Sequence, residues 1–240
     1  MIYGTRAVIE AIAAGKEIDK VMIQSGLSND LVKELINVAR NNNVPITFVP
    51  AEKLKRISTK NHQGVICLLS VVSFASVDDL IYRAYNEGRE PFFLILDRVT
   101  DVRNFGAIVR TAECAGVDGI ILPDKGSVPI TSDAMKTSAG ALNHLPICRE
   151  KDLKKTIQLL HDNGIRVVAC TEKTERSIYH LNLTGPITII LGSEEDGISD
   201  VLLRQADDLV QIPLKGKIGS LNVSVAAGIA LYEVVRQKGL

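Results

Sequence analysis

The sequence predicts an α/β protein: a parallel-sheet domain preceded by a smaller α/β module. Three observations carry this. The short run 92–96 is continuously apolar, and 166–170 and 187–191 are broken only by Arg166 and Thr188, as suits strands covered on both faces. Stretches of helical period over 105–115 and 152–163 alternate with them through short loops. Gly15, Gly88, Gly116 and Gly164 stand where helices should stop.

In chain order, residues 5–14 read as a helix capped by Thr5, with Val8, Ile9, Ala11 and Ile12 on its apolar side. Residues 20–24 form a short strand. A second helix starts at Ser28, with Leu31, Leu35 and Ala39 in one stripe and Val32 and Ile36 beside it. Residues 45–49 are a strand, and Pro50 opens a helical turn carrying Lys53, Lys55 and Arg56. His62-Gln63-Gly64 leads into the strand 65–71. Residues 1–72 thus make a first domain near the lower end of domain sizes. Residues 73–90 read as a linker with a helix over 78–87 on Leu80, Ile81, Ala84 and Tyr85, and a hinge near Ser73 to Ser76.

The second domain, 91–240, opens at Pro91. The strand 92–96 leaves through a polar loop, 97–103, into the helix 105–115, whose Ile108, Val109 and Ala112 face inward. A strand over 118–122, helices over 131–139 and 152–163, and the strands 166–170 and 187–191 follow. The loop 192–199, a short helix, a strand over 208–213 and a glycine-bearing loop, 214–219, lead to a long apolar helix opened by Ser220-Leu221-Asn222.

Composition removes several classes of function. The formal net charge is zero, which argues against a protein that coats nucleic acid non-specifically. No apolar run approaches a membrane span and the first residues lack a signal-peptide pattern, so the expected place is the cytoplasm, without membrane attachment. Cys67, Cys114, Cys148 and Cys170 lie far apart with no Cys-x-x-Cys pair, which fits reduced thiols and no metal site.

Two glycine loops at the carboxyl ends of adjacent strands can make a nucleotide-type site in an open α/β sheet. Residues 192–199 have the spacing of a phosphate-binding P-loop, but Ile198 stands where the lysine must be. Glu194, Glu195 and Asp196 would set three negative charges beside a triphosphate. The loop suits a ligand that is not polyanionic, an adenosine joined to a sulfonium-bearing amino acid for example.

Three ordered blocks carry a resemblance. Asp101-Val102-Arg103-Asn104-Phe105-Gly106-Ala107-Ile108-Val109-Arg110-Thr111-Ala112 resembles motif one of the SpoU/TrmH family of RNA ribose 2′-O-methyltransferases. Gly192-x-Glu194-x-x-Gly197 with Ile212-Pro213-Leu214, then Ser220-Leu221-Asn222-Val223-Ser224-Val225-Ala226, resemble motifs two and three. Val102 and Glu195 depart from the proline and glycine common there. Tyr3-Gly4-Thr5-Arg6-Ala7-Val8 and His62-Gln63-Gly64-Val65 are similar to the substrate-binding module of the rRNA-acting branch.

The resemblance implies S-adenosylmethionine as cofactor, RNA as substrate, a deep C-terminal trefoil knot of the SPOUT type, and a homodimer with active sites near the subunit interface. It implies a guanosine of 23S rRNA as target. The alternatives are tRNA 2′-O-methylation and an RNA-binding assembly factor that has lost turnover. It places Asn104, Arg110, Glu194, Ser220 and Asn222 in the active site, and Gly192, Gly197, Ile212, Leu214 and Leu221 around the cofactor. Arg6, Lys53, Lys55, Arg56, His62 and Arg103 are candidate RNA contacts.

Each residue also has a plainer reading. Asn104, Ser220 and Asn222 suit helix caps, and Arg110 suits a surface ion pair. The lysines suit a solvated helix face, and His62 can fix its own loop. An arginine is an awkward base, so Arg110 fits better as a group that positions the ribose hydroxyl and its neighbouring phosphate. The apolar last helix, with Val223, Ala226, Ala227, Ala230 and Val234, asks for more cover than a short sheet gives, in keeping with a dimer.

Overall fold

A computed structural model of the chain describes residues 1–239. The chain divides into two compact units: Met1–Ser73 with Pro129–Asp133, and Phe74–Val128 with the chain from Ala134 onward.

In the first unit, β1 (Ile2–Tyr3), β2 (Ile18–Gln24), β3 (Ile46–Val49) and β4 (Val65–Leu69) form a sheet in the order β1-β4-β2-β3. β4 is antiparallel to both neighbours, whereas β2 and β3 are parallel. The pleat sends alternate residues to opposite faces. Val21, Ile23, Val65 and Cys67 pack under α1 (Thr5–Ala13) and α2 (Asp30–Asn41). Met22, Ile66 and Leu68 pack with Leu54 of α3 (Ala51–Ile57).

Two helix starts differ from the sequence reading. Thr5 is a buried first-turn residue rather than a cap, and Gly4 takes the cap position at φ 84°, which glycine adopts without a Cβ clash. α2 begins past Ser28, because the Asn29 side chain accepts from Val32 N at 2.9 Å. The excursion Pro129–Asp133 belongs to this unit through Ile130, whose N–H donates to Asp19 Oδ1 at 2.9 Å and whose carbonyl accepts from Val71 N at 3.2 Å. The helix expected over 131–139 is correspondingly shorter, α6 (Ser132–Thr137).

The second unit is a seven-stranded, all-parallel sheet in the order β11-β9-β10-β6-β7-β8-β5. Its strands are β5 (Phe74–Ala75), β6 (Phe92–Asp97), β7 (Gly119–Pro123), β8 (Ile147–Glu150), β9 (Arg166–Cys170), β10 (Ile187–Gly192) and β11 (Asp208–Val210). Phe93, Ile95, Ile121 and Ile190 pack with Leu80 and Ile81 of α4 (Val77–Asn86) and with Ile157 and Leu160 of α7 (Leu153–Asp162). On the other face lie α5 (Val102–Cys114) and α9 (Val223–Lys238), which pack on each other. A four-residue helix, α8 (Asp200–Leu203), joins β10 to β11.

The stretch 73–90 is therefore not a free linker. β5 pairs with β8 at the sheet's edge, and Ser76 caps α4, which carries Val77, Leu80 and Ile81 into the core. Two-residue strands have no period to read, and β8 offers only Ile147 and Cys148 as apolar residues, so neither stands out in the sequence. The polar loop expected over 97–103 is shorter too. Asp101 Oδ1 accepts from Asn104 N at 2.8 Å and starts α5 at Val102.

Among the described residues no helix is long and apolar enough to cross a membrane, and no group of three or more His, Cys, Asp or Glu is placed to hold a metal. The four cysteines are free thiols. Burial pushes Cys67 and Cys148 up to about 12 and Cys170 to about 11, while Cys114 is exposed.

Candidate active site

From β6 the chain moves outward through β7 and β8, then crosses to β9 on the other side before inserting β10 against β6. The reversal makes β6 and β10 a topological switch point, and the crevice outside their carboxyl ends is where an open α/β sheet binds ligands. Gly192 and Asp97, the last residues of the two strands, lie directly opposite each other in register.

Residues 193–199 fold back over that end. Gly197 N donates to Ser193 O at 3.0 Å, and Gly197 sits at φ 64°. A Cβ on Gly192 would lie under 3.0 Å from the Gly197 carbonyl and the Ile198 nitrogen, so only glycine permits this close return. Ile198 is buried in the hydrophobic core, which disposes of a P-loop lysine's role there.

Asp97 and Arg98 pin the same loop, a pair the sequence reading did not single out. Asp97, itself buried, accepts from Ser199 N at 2.7 Å. Arg98 donates to Asp196 Oδ2 and to Gly197 O, each at 3.0 Å. Its backbone is left-handed at φ 60°, a conformation costly for arginine and retained where surrounding contacts enforce it. Asp97 first, then Asp196, hold the guanidinium above its ordinary range. The available signal was an acidic residue closing a wholly apolar strand at the sheet's carboxyl edge.

Three predicted residues meet beside this loop, one from each motif. Glu194 Oε1 accepts from Asn104 Nδ2 at 3.1 Å, Asn222 Nδ2 at 2.8 Å and Val223 N at 3.3 Å. Asn222 Nδ2 also donates to Asn104 Oδ1 at 2.9 Å. Asn222 caps α9 as well, its Oδ1 accepting from Ser224 N at 2.9 Å. Asn104 is not a cap, since Asp101 fills that place. Ser220 lies before the cap and is exposed.

The cluster separates two hollows. One, of about 400 Å³, contains Gly192, Gly197, Ile212, Leu214 and Leu221, all five predicted cofactor residues, and also Ser220. Its walls carry the carboxylates of Glu172, Glu194, Glu195 and Asp196 and no Lys or Arg. The other, of about 390 Å³, is lined by Arg98, Thr100, Asp101 and Asn104 and shares the 193–196 wall.

The structure does not bring Arg110 to this cluster. It is exposed on α5, lines neither hollow, and makes no ion pair or hydrogen bond among the described residues, so the surface salt-bridge reading fails. Arg103 is likewise exposed and outside both hollows. In the first unit Lys55 and His62 line one hollow. Arg6, Lys53 and Arg56 are exposed on α1 and α3 and do not line it.

The comparisons with known proteins divide the chain in a similar way. The SpoU rRNA methylase family model matches residues 91–232, and the model for RNA 2′-O ribose methyltransferase substrate binding matches residues 1–73. YacO of Bacillus subtilis (strain 168), provisionally assigned as a TrmH family tRNA/rRNA methyltransferase, is 33% identical over 237 residues, which cover 99% of this chain and 95% of YacO. The AdoMet-bound rRNA methyltransferase from Sinorhizobium meliloti is 26% identical with a TM-score of 0.61, covering 95% of this chain and 84% of its own. The TrmH/SpoU tRNA modifying enzyme of A. aeolicus is also 26% identical, with a TM-score of 0.56, but covers only 66% of this chain and 84% of its own. With both family models matched in order and a relative similar along nearly the whole length, the chain belongs to the SpoU/TrmH family and is an RNA methyltransferase that uses S-adenosylmethionine.

Proposed function

We propose that this enzyme methylates the ribose 2′-hydroxyl of a guanosine in 23S rRNA. The observation that carries the 2′-O reading is the junction of Asn104, Glu194 and Asn222 between two adjoining hollows. A transferase needs donor and acceptor sites that share a wall, so that the reacting atoms are held in line. The rRNA reading is supported by coverage: the rRNA methyltransferase spans 95% of this chain and the tRNA enzyme 66%.

The first hollow fits the cofactor. Gly192 leaves room for the loop to close, residues 192–198 line the cleft, and a lining with four carboxylates and no Lys or Arg suits a cationic sulfonium rather than a polyphosphate. When bound there, S-adenosylmethionine supplies an electrophilic methyl group. The chain's own residues align the acceptor. Asn104 and Asn222 hold Glu194 by Oε1, which leaves Oε2 as an acceptor for the ribose hydroxyl. Ser220 stands at the cofactor side of the same wall.

Arg110 positions the hydroxyl and the adjacent phosphate, from across a homodimer interface. Support for the dimer is the exposure of the apolar side chains Ile218, Val225 and Tyr232, which line neither hollow. They are not the face read from the sequence: Val223, Ala227, Ala230 and Val234 are buried within the chain's own fold. The trefoil knot is supported by the path from β11 at the sheet's edge back to Asn222, which contacts Asn104 and Glu194 at its centre. Mapping ribose 2′-O-methyl groups in rRNA and tRNA from cells with and without the gene tests the assignment. Loss of one mark in 23S rRNA is expected; loss confined to tRNA overturns it.

A further inference from the structure

The chain has no net charge, so an RNA enzyme with this balance must gather its cations locally. One hollow of the first unit does so. It measures about 630 Å³ and is walled by Gln24, Leu27, Lys55, Lys60, His62 and Gly64, with small polar residues completing its rim and no Asp or Glu in its lining. Lys55 makes no ion pair among the described residues, and the Lys60 ammonium lies 5.6 Å from the centre of the Tyr3 ring.

The floor is built rather than incidental. Gly64 is at φ 77°, and a Cβ there would come within 2.8 Å of Leu27 Cδ2 and 3.3 Å of Gln24 Cβ. His62 Nδ1 accepts from Gly64 N at 3.0 Å. That bond sets the neutral tautomer with its proton on Nε2, so the ring is a donor. The hollow therefore combines two ammonium groups, an imidazole N–H and carboxamide groups over one apolar side chain.

We infer that this hollow seats a single unstacked RNA nucleotide through its phosphate and ribose, as an anchoring site separate from the methylated residue. The donors match phosphodiester oxygens and the 2′-hydroxyl, and the absence of carboxylates removes the repulsion a phosphate would meet in the cofactor cleft. The Lys60 ammonium already lies over the Tyr3 ring, so recognition falls on the backbone and on the Gln24 amide. The inference rests on the RNA methyltransferase reading and adds a site to it.

The test compares Lys55→Gln/Lys60→Gln with Lys16→Gln/Lys33→Gln, which removes the same charge from exposed positions of the same unit outside the hollow. Binding to unmodified 23S rRNA transcript is followed against salt, beside methyl-transfer kinetics. The first variant is expected to raise KM on the order of tenfold at unchanged kcat and unchanged S-adenosylmethionine affinity. Its salt slope should fall by about 0.7, because one phosphate of a single strand is no longer neutralised. The second should leave both unchanged. Equal behaviour of the two variants overturns the site. A wild-type enzyme that binds the transcript with the hollow-dependent slope, yet transfers methyl only to tRNA, overturns the rRNA assignment and leaves the site standing. A variant that binds bare transcript normally and fails only on ribosomal particles makes the hollow a protein contact and overturns the inference.

Discussion

Replacing Gly192 with alanine should empty the cofactor cleft with little loss of the fold. The added methyl meets backbone, not a side chain that can rotate away: it would lie under 3.0 Å from the Gly197 carbonyl and Ile198 N. Restoring an ordinary separation of about 3.5 Å moves that peptide by roughly an ångström. Three bonds depend on its position: Gly197 N to Ser193 O at 3.0 Å, Arg98 to Gly197 O at 3.0 Å, and Ser199 N to Asp97 at 2.7 Å. One neutral and two charge-assisted bonds contribute about 4 kcal/mol together. The loop can open instead of unfolding, so folding loses about 1–3 kcal/mol, the usual range for a small-to-large change. The cleft loses its wall outright, and binding should weaken at least about a hundredfold, or 2.8 kcal/mol. Calorimetric titration with S-adenosylmethionine beside thermal unfolding separates the two effects. Gly216→Ala is the control, because no heavy atom lies within 4 Å of its added Cβ. Gly192→Ala binding within threefold of wild type would refute the close-return argument.

Three further outcomes are expected. Asn222→Ala removes the α9 cap and a Glu194 bond, for a loss of about 1–2 kcal/mol in chemical denaturation, while Asn222→Asp keeps the cap, sets a second carboxylate on Glu194 and stays inactive. Arg110→Ala should bind S-adenosylmethionine normally in calorimetry and lose about 10²–10⁴ in tritium transfer to rRNA, with Arg110→Lys a poor rescue. Sedimentation should give a dimer at micromolar concentration, and a monomer there would remove the reading of exposed Ile218, Val225 and Tyr232 as partner contacts.

The parallel sheet was legible because strands buried on both faces are near-continuous apolar runs: 92–96 is wholly apolar, and 166–170 and 187–191 are broken only by Arg166 and Thr188. Its edge was not, since β5 and β8 are held by the strands beside them rather than by their own pattern. The excursion Pro129–Asp133 was equally hidden: nothing local to Ile130 announces a bond to Asp19, more than a hundred residues earlier. For the site, the motif residues were legible as types and spacings. Asp97 and Arg98 were not, because their work is done through Ser199, Asp196 and Gly197, which are distant in sequence. The last helix was read as needing a partner's cover over Val223, Ala226, Ala227, Ala230 and Val234, but Val223, Ala227, Ala230 and Val234 are buried within the chain, and the exposed residues Val225 and Tyr232 were passed over.

Arg110 presents the sharpest geometric problem. It follows Asn104 by six residues on one continuous helix. Six residues of α-helix advance about 9 Å and turn the side chain about 120° away. Asn104 faces Glu194 and Asn222, so Arg110 is carried off that face and into solvent. A motif that serves one reaction from two faces of a helix works if two chains lend their faces to each site, as a twofold dimer allows. Mixed dimers test this. Arg110→Ala and Asn222→Ala chains are each expected to be inactive alone. Unfolded together and refolded in equal amounts, half the dimers pair unlike chains, and each such dimer has one site with an intact arginine and an intact asparagine. Activity should return to about one quarter of wild type, one site in two over half of the dimers. If Arg110 acts within its own chain, every site in the mixture lacks one group and the refolded sample stays as inactive as its parents.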